Sequence, residues 1–196
     1  MDHQEQKTAL LVMDIQRGVV ERYAGVHEAL LQRLRRTIET ARAMGVPVVF
    51  VRVAFRLGYP EVSPRNRSFA ALTSQTGTSF GEDDEATQIH PDLEPRTVDP
   101  VVVKKRVSAF AGSDLEVLLR SLGTTHLVLT GIATSGVVLS TLREAADRDY
   151  ELTVLSDACA DADEEVHRVL TEKVFPRQAE VLSVADWISR SPTRGQ

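Results

Sequence analysis

A chain of 196 residues, 42% hydrophobic and 26% charged, has the composition of a globular protein of one domain and is long enough to enclose a core. The formal net charge of −5 argues against nucleic acid as a partner, and no apolar run reaches the ~18 residues that a membrane span needs. Met1 to Lys7 is polar, without the apolar segment of a signal peptide, and the single cysteine excludes an internal disulfide and any paired-cysteine metal site, so a cytoplasmic protein is expected.

Ala9 to Met13 is a continuous apolar run that ends at Asp14. A helical pattern follows from Val26 to Met44. Its apolar positions are Ala29, Leu30, Leu34, Ile38 and Ala41, charges at Arg33, Arg35, Arg36 and Glu39 fill the other face, and Gly45 supplies the stop. Val46 to Val53 is the next apolar run. From Arg56 to Val98 the rhythm breaks into Pro, Gly, Ser and Thr, with an acidic cluster from Glu82 to Glu85; this insertion reads as an irregular excursion over the sheet edge. Val101-Val102-Val103 then leads into Lys104. Leu115, Leu118, Leu119 and Leu122 form a helical stripe closed by Gly123, with Ser113 and Glu116 spaced as a capping box. Leu127-Val128-Leu129 runs into Thr130-Gly131, a helix is predicted from Val137 to Arg148, and Leu152 to Leu155 runs into Ser156-Asp157. A helix from Asp163 to Val174, a last strand from Ala179 to Leu182 and a frayed tail from Arg190 to Gln196 complete the chain.

Apolar runs that are continuous rather than alternating predict strands buried on both faces. Strand and helix alternate, which predicts an α/β fold with a mostly parallel sheet, helices on both faces and right-handed crossovers. Ligands of such sheets bind beyond the carboxyl ends of the strands, and Asp14, Lys104 and the turn from Gly131 to Val137 all fall there. No strand is followed by GxGxxG or GxxxxGK[ST], so neither phosphate-cradling loop is present.

Three segments carry a family resemblance. They are Leu11-Val12-Met13-Asp14-Ile15-Gln16, then Val103-Lys104 with Ser108-Ala109-Phe110, then Leu129-Thr130-Gly131-Ile132-Ala133-Thr134 with the helix behind it and Asp157-Ala158-Cys159-Ala160 beyond. In this order, over about residues 8 to 185, the chain resembles the isochorismatase-like hydrolase superfamily, also called the cysteine hydrolases. The resemblance implies a three-layer α/β/α sandwich with a six-stranded parallel sheet in the order 3-2-1-4-5-6. It implies an aspartate, here Asp14, that takes a thiol proton, and a lysine, here Lys104, that stabilises negative charge. A thiol needs both, being mostly protonated at neutral pH. It further implies an oxyanion hole of backbone N–H groups at Ala133 and Val137, a cis bond at Ile132–Ala133, a pocket floor of Gln16, Phe110 and Val137, and a homo-oligomer.

At the position where most members of that superfamily carry the cysteine, this chain has Val137, which has no nucleophilic atom. Cys159 is expected to be packed and inert, and Thr134 and Ser135 are expected to be caps. The isochorismatases proper act without the cysteine, by protonating a vinyl ether from the aspartate. Asp14 could serve as that acid, or, ionised, as a base that activates water; burial and a neighbouring lysine pull its pKa in opposite directions. A buried Asp14–Lys104 ion pair in an inactive protein that binds a small ligand, or an interaction subunit that uses the acidic loop, are the rival readings.

Where the nicotinamidase branch has an Asp-x-His motif, this chain reads Arg52-Val53-Ala54-Phe55-Arg56, so no catalytic metal and no other cofactor is expected. His3, His27, His90, His126 and His167 are read as structural or solvated. A small-molecule substrate would be selected from the insertion, where Arg56, Tyr59, Arg65, Asn66 and Arg67 lie and where an arginine could grip a carboxylate with two hydrogen bonds.

Overall fold

Six strands form one all-parallel sheet in the order β3-β2-β1-β4-β5-β6: β1 Thr8–Met13, β2 Val48–Val53, β3 Val101–Lys104, β4 His126–Ile132, β5 Glu151–Ala160 and β6 Glu180–Leu182. The computed structural model describes residues 7–22, 27–76 and 80–190. The expectations for Val26, His3 and the tail after Arg190, and for the side chain of His27, lie outside the described residues. The helices are α1 Arg17–Arg22, α2 His27–Ala43, α3 Arg67–Thr76, α4 Leu115–Leu122, α5 Leu139–Ala146, α6 Glu164–Val169 and α7 Val184–Arg190.

The pleat of β1 explains the layers. Ala9, Leu11 and Met13 face one way, into a core shared with Leu115 and Leu119 of α4 and Leu142 and Ala145 of α5. Leu10 and Val12 face the other way, against Leu30, Leu34 and Ile38 of α2 and Val184 and Trp187 of α7. Each large aliphatic side chain buried in this way contributes about 1.5–3 kcal/mol relative to exposure. With both faces covered, no strand can alternate polar and apolar residues, which is why the runs in the sequence are continuous.

Helix ends follow local chemistry. Gly45 and Gly123 take positive φ (74° and 66°), and Gly123 N–H closes α4 on Leu119 and Arg120 carbonyls. The capping box forms only in part. Ser113 Oγ accepts from Leu115 N–H at 3.2 Å, but Glu116 pairs with Arg120 (2.7 Å) and Arg148 (3.3 Å) instead of reaching back.

Several expectations are corrected. β5 does not stop at Leu155 but runs ten residues to Ala160, with a register shift opposite Leu129–Gly131; half-buried Ser156 and Asp157 interrupt its apolar run without interrupting its pairing. The helix expected from Val137 begins as a wide turn, Thr134–Val138, ahead of α5, and the one expected from Asp163 to Val174 is α6 followed by a second wide turn, Leu170–Val174. The insertion is less irregular than its composition predicts. It holds α3 and two short helical turns, Glu85–Thr87 and Pro91–Leu93, and Phe69 and Phe80 bury against Val53 and Phe55. No described helix is long and apolar enough to cross a membrane.

Candidate active site

Asp14 and Lys104 meet across the carboxyl ends of the central strands. Asp14 directly follows β1, where its N–H donates to Val51 O at 2.8 Å and its φ of 55° turns the chain away from the sheet; aspartate is among the few residues that tolerate this left-handed conformation. Lys104 ends β3, two strands away, and its side chain extends over the end of β2 to bring Nζ to 2.9 Å from Asp14 Oδ2. Both are buried, Lys104 at 1% exposure and Asp14 at 7%.

The two groups are satisfied unequally. Lys104 Nζ also donates to the carbonyls of Arg106 (3.0 Å) and Val107 (3.1 Å), so its three N–H donors are all occupied. Asp14 Oδ1 is buried with no hydrogen-bond partner. Burial pushes the Asp14 carboxyl above its ordinary range, and the charge and hydrogen bond of Lys104 oppose this without overcoming it. The pair therefore presents a carboxyl inclined to hold its proton beside a cation with no donor left for a ligand.

A shell of polar side chains fixes the strand ends around the pair. Gln16 is fully buried; its amide donates to Val53 O (2.9 Å) and Thr87 O (2.8 Å) and accepts from Val53 N–H (2.9 Å). Its donors are committed to the backbone, and it ties the insertion to β2. Arg52 binds Glu82 O and Thr87 Oγ1, and Lys105 binds Ala54 O at 2.7 Å and the Glu82 carboxylate at 2.5 Å. Glu82 and Glu85, the latter paired with Arg17, thus serve as internal tethers of the acidic loop.

The turn after β4 lies beside Asp14, since Met13 pairs with Gly131. Gly131 has φ 149°, and a Cβ there would collide with the Met13 carbonyl oxygen, so the close approach of the two strands requires glycine. The Ile132–Ala133 bond is cis, as the family resemblance implies. Val137 is 2% exposed and shares a hydrophobic cluster with Met13, Ala109 and Leu142. Thr134 and Ser135 do not cap the turn with their side chains. The Thr134 hydroxyl bonds His167 Nδ1 at 2.8 Å, and Ser135 N–H donates to Asp161 Oδ2 at 2.7 Å. Asp161 and His167 had no local signal in the sequence, the former lying 26 positions from its partner. Cys159 is buried inside β5, and desolvation pushes its thiol up to about 12, which makes it a packing residue.

The remaining predicted site residues lie further out. Phe110 stacks on Tyr150 (centroids 6.1 Å apart) and under the Arg148 guanidinium at 4.8 Å. These neighbours lie between the end of α5 and the start of β5. Arg56 pairs with Glu61 at 2.7 Å with its side chain 70% exposed. Tyr59 packs edge-on against Phe55, and its hydroxyl accepts from Phe80 N–H at 3.2 Å, so both residues brace the insertion. Among the described residues, no three His, Cys, Asp or Glu side chains are grouped as metal ligands.

Comparison with known proteins agrees with this fold. Residues 8–186 match the isochorismatase domain. The chain is 32% identical over 182 residues to the isochorismatase family protein YecD of Escherichia coli O157:H7, covering 91% of this chain and 93% of that one. It is 33% identical over 172 residues to the ureidoacrylate amidohydrolase RutB of Serratia proteamaculans, covering 78% of this chain and 69% of RutB. The structure of an isochorismatase family protein from Burkholderia thailandensis superposes with a TM-score of 0.80 at 28% identity, over 93% of this chain and 94% of the other.

Proposed function

The chain belongs to the isochorismatase family, and we propose that it is a small-molecule hydrolase that works without a cysteine nucleophile, with Asp14 as general acid or base and Lys104 as its electrostatic partner. One observation carries the proposal: Asp14 Oδ1 is buried and unpartnered beside a lysine whose donors are all filled. A purely structural ion pair gains from filling every lone pair, whereas an acid needs one oxygen left for its substrate.

The raised carboxyl favours the acid role. The Asp14 proton passes from Oδ1 to the vinyl carbon of an enol ether, Lys104 stabilises the carboxylate left behind, and water adds to the cationic carbon and returns a proton to Asp14. The hemiketal so formed breaks its C–O bond, its hydroxyl proton passing to the departing oxygen, to release a carbonyl compound and an alcohol. Backbone N–H groups at Ala133 and Val137 would bind negative charge developing on the substrate. Val137 stands in the position of the family's cysteine, so no covalent acyl intermediate forms there. Substrate selection falls to the insertion, with Arg56 and Tyr59 as its candidate contacts once Arg56 leaves Glu61. Gln16 supports the site by fixing the backbone.

The test is turnover of a panel comprising isochorismate, ureidoacrylate and small amides, esters and enol ethers by the wild type and Asp14→Asn. Product that vanishes in the variant supports the proposal; equal product from both removes Asp14 from the chemistry. A second reading, an inactive relative that retains a ligand, draws on the burial of Val137 in the apolar cluster. Under it, a panel compound binds both proteins and neither converts it.

A further inference from the structure

The turn from Thr134 to Val138 cannot cap itself. Its leading residue is Ala133, which has no side-chain acceptor, and Gly136 inside it departs from helical geometry at φ −96° and ψ −105°. The first N–H groups of such a turn need partners. Gly136 and Val138 N–H groups use the Ala133 carbonyl, and the partner of Ser135 N–H comes from beyond the far end of β5, whose last residue Ala160 pairs with Ile132. Asp161 follows directly: its Oδ2 accepts Ser135 N–H at 2.7 Å while Oδ1 accepts Ala162 N–H at 2.9 Å, so both carboxylate oxygens are held. One helix later, His167 Nδ1 bonds the Thr134 hydroxyl at 2.8 Å, and Thr134 is fully buried. The helix that carries His167 is itself anchored, because Asp163 accepts from Glu165 and Val166 N–H groups.

We infer that Asp161 and His167 are positioning residues: from outside the reacting centre, through Ser135 N–H and the Thr134 hydroxyl, they fix the direction of the backbone N–H groups of the 133–137 turn. The inference rests on reading that turn as the place where developing negative charge is bound. The role of Asp161 is that of an N-cap supplied by a distant segment. Rate is sensitive to such placement, since a misplacement of about 1 Å can cost roughly a hundredfold. His167 fits the task as a neutral imidazole. Burial pushes its pKa down, and Asp161 opposes this. Glu164 on its own helix and Arg33 and Asp157 across a cavity of about 330 Å³ complete its charged surroundings.

The full chain carrying Asp161→Ala, Asp161→Asn or Thr134→Val tests this. Backbone amide exchange at residues 135–137 is expected to quicken about fivefold or more in Asp161→Ala, the effect of one lost cap, and to return toward wild type in Asp161→Asn, whose amide oxygen still accepts the bond. With a converted panel substrate, kcat falls about tenfold or more in Asp161→Ala while KM stays within about twofold. Thr134→Val, which removes the hydroxyl at nearly constant volume, shifts the His167 Nδ1 resonance and lowers kcat in the same sense. Should Asp161→Ala not fold, Thr134→Val takes its place under the same criteria. Unchanged exchange overturns the anchoring, and raised exchange with unchanged kcat overturns its link to the reaction. If the wild type converts nothing, the proposed function fails, and with it the link to catalysis, while amide exchange still decides the anchoring on its own.

Discussion

Replacing Lys104 by methionine measures the pair at the centre of the site. Methionine follows the path of the lysine side chain and keeps its apolar contacts, so the change removes the ammonium and little else. The ammonium makes three bonds, to Asp14 Oδ2 and to the Arg106 and Val107 carbonyls. Removing one partner of a buried pair costs about 3–5 kcal/mol, because the other is left without compensation. Arg106 and Val107 are half-buried, so water can take over part of the carbonyl loss and the total stays in that range. For a chain of this length each kcal/mol lowers Tm by about 2–4 °C, which gives a fall of roughly 6–20 °C. Urea unfolding followed by circular dichroism, with thermal melts beside it, reads both quantities. The loss should shrink as pH falls through the raised pKa of Asp14, below which the native carboxyl is neutral and leaves no charge for the ammonium to compensate. A loss below about 1 kcal/mol at neutral pH would mean that the pair behaves like a solvent-screened surface pair, and the account of the site would be wrong.

Asp14→Asn probes the other partner. The native chain holds the Asp14 proton above the ordinary value of 3.8. Between that value and the raised native pKa the unfolded chain has lost a proton that the native chain keeps, so this group makes stability fall as pH rises, by up to about 1.4 kcal/mol per unit. Asparagine lacks the slope, so the variant should gain on wild type as pH climbs from 4 to 8 in paired urea titrations; the opposite trend would show that Lys104 keeps Asp14 ionised and would remove the basis of the acid role. Gly131→Ala drives a Cβ into the Met13 carbonyl oxygen and within 3.0 Å of Met13 Cβ, and should cost about 3 kcal/mol or more; a melt within 2–4 °C of wild type, about 1 kcal/mol, contradicts the close strand approach. Val137→Cys places a thiol in the buried cluster of Met13, Ala109 and Leu142 at a packing cost of about 0.5–1.5 kcal/mol. Mass spectrometry after iodoacetamide should find both the new thiol and Cys159, whose thiol burial pushes up to about 12, unlabelled in the native protein and labelled after unfolding in urea; labelling of either in the native protein would count against the assigned surroundings.

The layers of the fold were legible in the sequence because burial on both faces leaves a plain mark. The runs ending at Asp14, Lys104 and Gly131 became strand ends on one side of the sheet, β1 beside β4 and β3 two strands from β1. Where polar residues sit inside a buried element the mark fades, as at Ser156 and Asp157 of β5, and the strand was read too short. Composition also hid α3, because a helix of serine, threonine and alanine is held by Phe69 packing on Phe55, a contact no local pattern announces.

Residue type and order by themselves determined that an aspartate, a lysine and a glycine turn converge at one end of a parallel sheet, and that Val137 offers no nucleophile. The tertiary structure alone decided what those groups can do. The unfilled Oδ1 of Asp14, the filled donors of Lys104, the commitment of Gln16 to backbone and the turning of Phe110 toward Tyr150 all depend on contacts between segments far apart in the chain. Hydrogen-bond satisfaction and desolvation belong to the surroundings of a group, and those surroundings exist only after the strands are side by side.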